Sequence, residues 1–155
     1  KGPLLDIPRN GFVNTHPSLL PFNRGKHYNF WAIVEENPFG VTLHRANSGI
    51  DTGEIIAQNV IEYDWTDNGE TLYRRAQGEM VKLFQETYPL LRNEAIASQS
   101  QNLESGSFHR ASELDAASCI KLDREYPARA LLNLLRARTF EGYPGCWFEE
   151  DGVRY

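Results

Sequence analysis

Apolar and polar residues alternate in short runs over the first sixty positions, which favours strands there. The segment 11–16 predicts a short buried strand, and the proline that follows it ends the element because it keeps His16 out of helical geometry. Further strands are predicted at 41–44 and 54–61, where β-branched residues are frequent. A helix over 28–36 is expected between the first two of these strands.

Helical spacing dominates further along the chain. Asp67 and Glu70 predict a capping box at the start of a long helix, and Pro89 is expected to kink or end it. The apolar positions of this helix follow a period of 3.6 and are Leu72, Ala76, Met80, Leu83 and Phe84. A polar connector follows at 93–107, and a second helix is expected after Pro127.

The last residues predict a small appendage. The segment 140–155 is interpreted as a loop followed by a hairpin that turns at Asp151 and Gly152. The order strand, helix, strand, strand, helix indicates an α/β fold with segments 1–92, 93–107 and 108–155.

Composition excludes several classes of protein. The 155 residues are 41% hydrophobic and 24% charged with a net charge of −5, which is typical of a globular protein and disfavours a broad nucleic-acid-binding face. No apolar run is long enough to span a membrane. Cys119 and Cys146 lack metal-ligand spacing and suit a reducing cytosol. Because the chain begins with Lys1 and its one methionine is Met80, we expect a processed or truncated piece of a longer protein.

The candidate chemistry lies at the end of the first strand. Asn14 and His16 are two residues apart, so their side chains point to the same side of the strand. There an amide and an imidazole could bind a carbonyl oxygen through hydrogen bonds. Taken alone, this pair favours a structural role. His44 alternates with Leu43 on the next strand and is expected to face the opposite side, in a structural or surface role. The glycine-bracketed turn around Asp51 is typical of a segment that exposes a functional residue.

Three motifs together are more specific than any one of them. They are Asn-x-His-x-Ser-Leu-Leu-Pro-x-x-Arg-Gly at 14–25, Gly-Val-Thr-Leu-His at 40–44 and Ile-Asp-Thr-Gly-Glu-Ile-Ile-Ala-Gln at 50–58. In this combination the chain resembles the folate-dependent formyltransferase family over about 11–91. That family includes glycinamide ribonucleotide transformylase, methionyl-tRNA formyltransferase and the sugar N-formyltransferases.

The resemblance implies a fold and a domain order. Residues 1–92 would form the carboxy-terminal half of a Rossmann-like formyltransferase domain whose amino-terminal half is not matched. Residues 108–155 would form a carboxy-terminal extension, a small helix-plus-hairpin appendage that is itself truncated.

The resemblance also implies a mechanism. The catalytic residues would be Asn14, His16 and Asp51, and the formyl donor would be 10-formyltetrahydrofolate, with no metal required. Asn14 and a protonated His16 would donate hydrogen bonds to the formyl oxygen. Asp51 would raise the pKa of His16 and accept a proton from the attacking amine. The backbone of the turn would line the pterin pocket through Ala46, Asn47, Ser48, Gly49 and Ile50.

Among members of the family, the extension and the segment 21–33 are most similar to sugar N-formyltransferases. The implied acceptor is the amine of a nucleotide-linked amino sugar, such as a dTDP-4-amino-4,6-dideoxyhexose, in lipopolysaccharide or O-antigen biosynthesis. Arg24 and Lys26 could bind a pyrophosphate, and the alternative is that they are ordinary solvent-exposed charges. Phe140 and Tyr143 could stack on a base, and the alternative is that they pack in the core. The resemblance further implies a cytoplasmic enzyme without nucleic-acid or membrane partners, and a homodimer with the Trp147 hairpin as a contact.

Other functions remain open at this point. Methionyl-tRNA and glycinamide ribonucleotide formyl transfer are the alternatives within the family, and a binding module or a formyl-folate hydrolase would keep the same fold. The tripeptide Asp51-Thr52-Gly53 also occurs in aspartic proteases, but Glu54 places a charge where that fold requires burial. Ser18 lacks the nucleophile elbow of a serine hydrolase.

Overall fold

A computed structural model describes residues 3–9 and 11–155. In chain order the strands and α-helices are β1 (Val13–His16), β2 (Arg24–Gly25), α1 (Tyr28–Val34), β3 (Gly40–Arg45), β4 (Ile55–Val60), α2 (Gly69–Arg92), β5 (Phe108–His109), α3 (Glu113–Ala117), α4 (Ala128–Ala137), β6 (Glu149–Glu150) and β7 (Val153–Arg154). Short 3-10 helices lie at Pro3–Asp6 and Leu103–Ser105. The predicted α/β class and the helix-plus-hairpin appendage are confirmed, whereas β2, β5 and α3 were not predicted.

The sheet that carries the candidate residues has the order β1-β3-β4, and both pairings are antiparallel. Asn14 lies directly opposite His44, and His16 lies opposite Thr42. The register shifts between Leu43 and His44, where β4 pairs with β3. Leu43 is fully buried in the core beneath α1 and α2, so the alternate positions of β3 face the opposite surface of the sheet.

Helix α2 covers one face of this sheet and differs from expectation at both ends. Its N-cap is Asn68, which forms a capping box with Thr71, so the predicted box of Asp67 and Glu70 is wrong by one residue. The helix also continues past Pro89 to Arg92. Its exposed side carries apolar residues such as Val81 and Tyr88 among polar ones, and no helix within the described residues is both long and apolar enough to cross a bilayer.

The carboxy-terminal residues contact elements from the first half of the chain. Strand β5 pairs in parallel with β2, with Gly25 opposite His109. Helix α4 packs against α1. In the hairpin, Asp151 and Gly152 have φ values of 50° and 77°, as the predicted tight turn requires. The connector is also in contact with the sheet, because Gln99 exchanges backbone hydrogen bonds with Ile55.

Candidate active site

The end of β1, strands β2 and β5 and the turn before β4 meet at one cleft of about 580 Å³. Asn14, His16 and Asp51 all line this cleft, so the three groups that are distant in sequence lie together. His44 lies beneath them on the adjacent strand. Although two histidines and a carboxylate meet here, residues 3–9 and 11–155 contain no group of side chains placed to hold a metal ion.

Asp51 is held by its own turn and by two outside donors. Its backbone has a φ of 52°, which points the side chain back toward β1. The backbone N–H of Gly25 donates to Oδ2 at 2.9 Å. Gln101 Nε2 donates to the carbonyl oxygens of Asp51 at 3.0 Å and Gly53 at 2.5 Å. The carboxylate is thus positioned by β2 and by the connector, two segments that sequence patterns did not link to it.

His16 is 5% exposed, and both of its ring nitrogens have neighbours. Nε2 lies 3.1 Å from the carbonyl oxygen of Asn23, which can only accept, so this nitrogen carries a proton. Nδ1 lies 3.5 Å from Asp51 Oδ2. Burial lowers the pKa of His16 below its ordinary value of 6.5, and this effect outweighs Asp51, which raises it. Asp51 therefore raises the pKa of His16 as expected, but desolvation dominates, so the protonated form that was expected for His16 is not favoured.

His44 is the site residue whose placement was predicted wrongly. It is 3% exposed, and its Nε2 lies 3.2 Å from Asn14 Nδ2 and 3.7 Å from Asp51 Oδ1. The alternation with Leu43 was correct, but Leu43 faces the core and His44 faces the site. The missing information was the strand pairing, since residues directly opposite in an antiparallel pair share a face.

The turn predicted to bind the folate lies at the rim of the cleft. Ile50 lines the cleft and is 51% exposed, whereas residues 46–49 lie farther along the turn. The Asn47 side chain accepts hydrogen bonds from the Gly49 backbone at 3.0 Å and the Thr52 hydroxyl at 2.8 Å, so it fixes the shape of the turn. The backbone N–H of Ala46 donates to Phe12. Asn47, Ser48 and Ile50 are the exposed residues of the turn, whereas Ala46 and Gly49 are half-buried.

A second cleft of about 490 Å³ shares Lys26 and Tyr28 with the first. Phe140 and Tyr143 line it, with ring centroids 5.1 Å apart at 79°. Tyr143 is 68% exposed and so does not pack in the core. The remaining predicted cation, Arg24, lines neither cleft and lies 6.0 Å above the Phe108 ring.

Two further residues of the second cleft complete its chemistry. Arg138 adds a positive charge beside Lys26. Burial raises the pKa of Tyr28, which keeps its hydroxyl protonated. The cleft therefore combines aromatic faces with cations, the combination that suits a nucleotide carrying phosphate groups.

His109 lines the first cleft from the appendage side. Its ring stacks on Trp31 at a centroid distance of 3.8 Å, and Nε2 lies 2.9 Å from Glu35 Oε1. Nδ1 lies 3.3 Å from Glu113 Oε2. These contacts attach β5 to α1 and thereby hold β2 near Asp51.

Comparison with known proteins relates this geometry to a reaction class. Residues 1–88 match the sequence profile described as Formyl transferase, and residues 113–155 match the N-formyltransferase dimerization C-terminal domain. The chain is 35% identical over 102 residues to the methionyl-tRNA formyltransferase of Agathobacter rectalis, which covers 65% of the chain and 33% of that protein.

Solved structures show the same similarity. A 4-N formyltransferase from Francisella tularensis superposes with a TM-score of 0.85 at 29% identity, over 92% of this chain and 59% of that one. The formyltransferase PseJ from Anoxybacillus kamchatkensis, in complex with UDP-4,6-dideoxy-4-formamido-L-AltNAc and tetrahydrofolate, has a TM-score of 0.68 at 36% identity, over 73% and 59% of the two chains. The chain thus spans less than two thirds of the length of each of these proteins.

Proposed function

The chain belongs to the formyl transferase family, and we propose that it transfers a formyl group from 10-formyltetrahydrofolate to the amine of a nucleotide-linked amino sugar. One observation carries this proposal. Asn14, His16 and Asp51 meet in a cleft that continues, through Lys26 and Tyr28, into an aromatic and cationic cleft.

The chain's own groups account for the chemistry of the transfer. When bound, 10-formyltetrahydrofolate supplies the formyl carbon, and tetrahydrofolate leaves as the new amide forms. Asn14 donates a hydrogen bond to the formyl oxygen, on which negative charge develops. His16 starts neutral because its pKa is lowered, and it takes the proton of the attacking amine at Nδ1. Asp51, 3.5 Å from that nitrogen, stabilises the imidazolium that results, and the imidazolium then gives its proton to N10 of the folate so that tetrahydrofolate leaves as a neutral amine.

This assignment revises two expected roles, because His16 instead of Asp51 now takes the proton of the amine. A protonated His16 was expected to be a second donor to the oxygen, but Nε2 is already directed at the Asn23 carbonyl. Nδ1 is therefore the nitrogen that can exchange a proton with the amine. His16 is a general base in this mechanism, and Asn14 is the donor to the oxygen.

The first cleft has features that fit the folate donor. Its rim is formed by the turn at 46–50, where exposed backbone groups can bind the edge of a pterin. Ile50 provides an apolar contact at the border with Asp51. We propose that Ala46, Asn47, Ser48, Gly49 and Ile50 line the pterin pocket, with the side chain of Asn47 fixing the turn rather than contacting the ligand.

The second cleft has features that fit the nucleotide-sugar acceptor. Phe140 or Tyr143 would stack on the base, and Lys26 with Arg138 would bind the pyrophosphate. Arg24 is assigned no contact with the substrate, since its side chain lies against Phe108. The structure of PseJ in complex with UDP-4,6-dideoxy-4-formamido-L-AltNAc supports this acceptor. The net charge of −5 favours a small substrate over a tRNA.

The proposal extends to the setting of the enzyme. The match to a dimerization domain over 113–155 supports a homodimer formed through the appendage. We propose that the enzyme acts in the cytoplasm and supplies formylated sugars for lipopolysaccharide or O-antigen synthesis, where nucleotide-linked sugars are the activated precursors.

Product analysis tests the proposed function directly. The full-length protein would be supplied with 10-formyltetrahydrofolate and, in separate reactions, with dTDP- and UDP-linked amino sugars, methionyl-tRNA and glycinamide ribonucleotide. Mass spectrometry is expected to detect a formyl group on an amino sugar. Formylation of methionyl-tRNA alone would favour the second candidate, which the 35% identity to a methionyl-tRNA formyltransferase supports. Release of tetrahydrofolate without any formylated acceptor would indicate hydrolysis.

Substitutions test the assigned residues. Asn14→Ala, His16→Ala and Asp51→Ala are each expected to lower kcat at least 100-fold, since removal of one group that acts in the transition state has an effect of about this size. A His16→Ala protein that keeps most of its activity would contradict the mechanism.

A further inference from the structure

We propose that His44 is a positioning residue that orients the side-chain amide of Asn14, so that one N–H of this amide is held ready for the formyl oxygen. The proposal rests on the proposed function for its catalytic meaning. The contact between the two side chains can be tested independently of that function.

The first step concerns the tautomer of His44. Its Nδ1 lies 2.9 Å from the backbone carbonyl oxygen of Arg45. A carbonyl oxygen only accepts hydrogen bonds, so the ring proton lies on Nδ1 in the neutral imidazole. The other nitrogen, Nε2, then keeps its lone pair and acts as an acceptor.

The second step concerns the amide of Asn14. Its Nδ2 lies 3.2 Å from His44 Nε2, so one amide N–H donates to that lone pair. The two ends of an asparagine amide have almost the same shape, and their hydrogen-bond partners decide which end points where. An acceptor at Nε2 selects the NH2 end. The second N–H of Asn14 is then free to donate into the cleft that this residue lines.

The third step concerns rigidity. Asn14 is an exposed residue of β1 at the edge of the sheet, and such a side chain would otherwise move between rotamers. His44 is 3% exposed and is directly opposite Asn14 in the strand register, so its ring is fixed by packing. Asp51 Oδ1 lies 3.7 Å from the same Nε2, beyond hydrogen-bond distance. A buried, rigid residue thus orients an exposed catalytic one.

Two substitutions separate this role from simple packing. His44→Phe keeps an aromatic ring of similar size but removes the acceptor, whereas His44→Gln can present a side-chain oxygen at about the position of Nε2. Loss of one orienting hydrogen bond is expected to lower kcat about tenfold in the Phe variant, with the KM values for both substrates unchanged. The Gln variant is expected to stay within about twofold of the wild type.

A double-mutant cycle with Asn14→Ala determines whether His44 acts through Asn14. In the Asn14→Ala background, His44→Phe is expected to cause no further loss of kcat. An equal loss in both backgrounds, or a Gln variant no better than the Phe variant, would overturn the proposal.

Nuclear magnetic resonance provides a second test that needs no activity. In the wild-type protein, the ring ¹⁵N shifts of His44 are expected to show a protonated Nδ1 and an unprotonated Nε2. The side-chain amide signals of Asn14 are expected to shift in the Phe variant and to return in the Gln variant. The opposite tautomer would overturn the orientation even if the Phe variant fails to fold. Wild-type protein that transfers no formyl group, but shows these shifts, would contradict the proposed function while the contact stands.

Discussion

Gln101 offers the sharpest test of how Asp51, the proposed catalytic carboxylate, is placed. Its Nε2 donates to two carbonyl oxygens in the turn that carries the carboxylate, those of Asp51 at 3.0 Å and Gly53 at 2.5 Å. Its Oε1 is buried and has no hydrogen-bond partner among the described residues, so the side chain serves as a donor. We expect Gln101→Ala to loosen the turn and to lower kcat without removing any group that reacts.

The size of the effect follows from the two contacts. A hydrogen bond contributes about 0.5–1.5 kcal/mol net, so two contribute about 1–3 kcal/mol. Each 1.36 kcal/mol corresponds to about a tenfold change in rate. If the whole free energy of these two hydrogen bonds is used to hold Asp51 in its reactive position, their loss lowers kcat by about 5- to 160-fold. We expect about tenfold, because water can replace part of what is lost.

Steady-state formyl transfer by the full-length protein is the assay, and Gln99→Ala is the matched control. Gln99 belongs to the same connector, but its side chain is exposed and its bridge to Ile55 uses backbone atoms alone. The control is expected to keep the wild-type kcat. Equal activity of the Gln101→Ala and wild-type proteins would refute the argument, as would equal losses in both variants.

Four other predictions concern pH, β2 and α2. Because burial lowers the pKa of His16 and the neutral ring is the base, kcat/KM is expected to fall only on the acid side, with a midpoint below 6.5, and a loss on the alkaline side with this group would contradict the base role. The lowered pKa of His16 also makes the free energy of unfolding decrease as the pH falls below 6.5, since the unfolded chain then binds a proton that the folded chain does not. Denaturant titrations at several pH values measure this decrease, with His16→Gln as the control. Gly25→Ala is expected to lower kcat at least tenfold. At a φ of 92°, a Cβ would overlap the His109 carbonyl and displace the backbone N–H that binds Asp51. Unchanged kinetics would show that this N–H is dispensable. Gly78→Ala, at an exposed position of α2 with open space around it, is expected to raise the free energy of unfolding by about 0.5–1 kcal/mol with kcat unchanged, as thermal melts and kinetics can check.

Local patterns predicted the elements that have a strong local cause. The β-branched residues of β3 and β4 and the apolar period of α2 each indicate one structure, and those elements formed where expected. The N-cap of α2 was misplaced because several polar residues at its start can accept a backbone N–H, and the competition is decided by backbone geometry. Strands β2 and β5 have two residues each and exist only through their pairing across the fold, so no local pattern marks them.

The same distinction between local patterns and long-range contacts applies to the residues of the site. Asn14, His16 and Asp51 were predicted from motif resemblance, and the structure brings them together. His44 was judged from its own strand, while its role depends on which residue the sheet places opposite it. Gln101 lay in a segment that looked like a plain connector. The pKa of His16 depends on burial, which a sequence does not reveal.

The pairing of β2 with β5 has a consequence for engineering the enzyme. Exchange of carboxy-terminal appendages between relatives is an attractive route to new acceptor specificity, and the polar connector looks like the natural place to splice. A junction there would replace Phe108 and His109, whose backbone aligns the strand that binds Asp51. Chimaeras should therefore be joined after residue 110, so that the recipient keeps its own short strand and only the appendage beyond it is new.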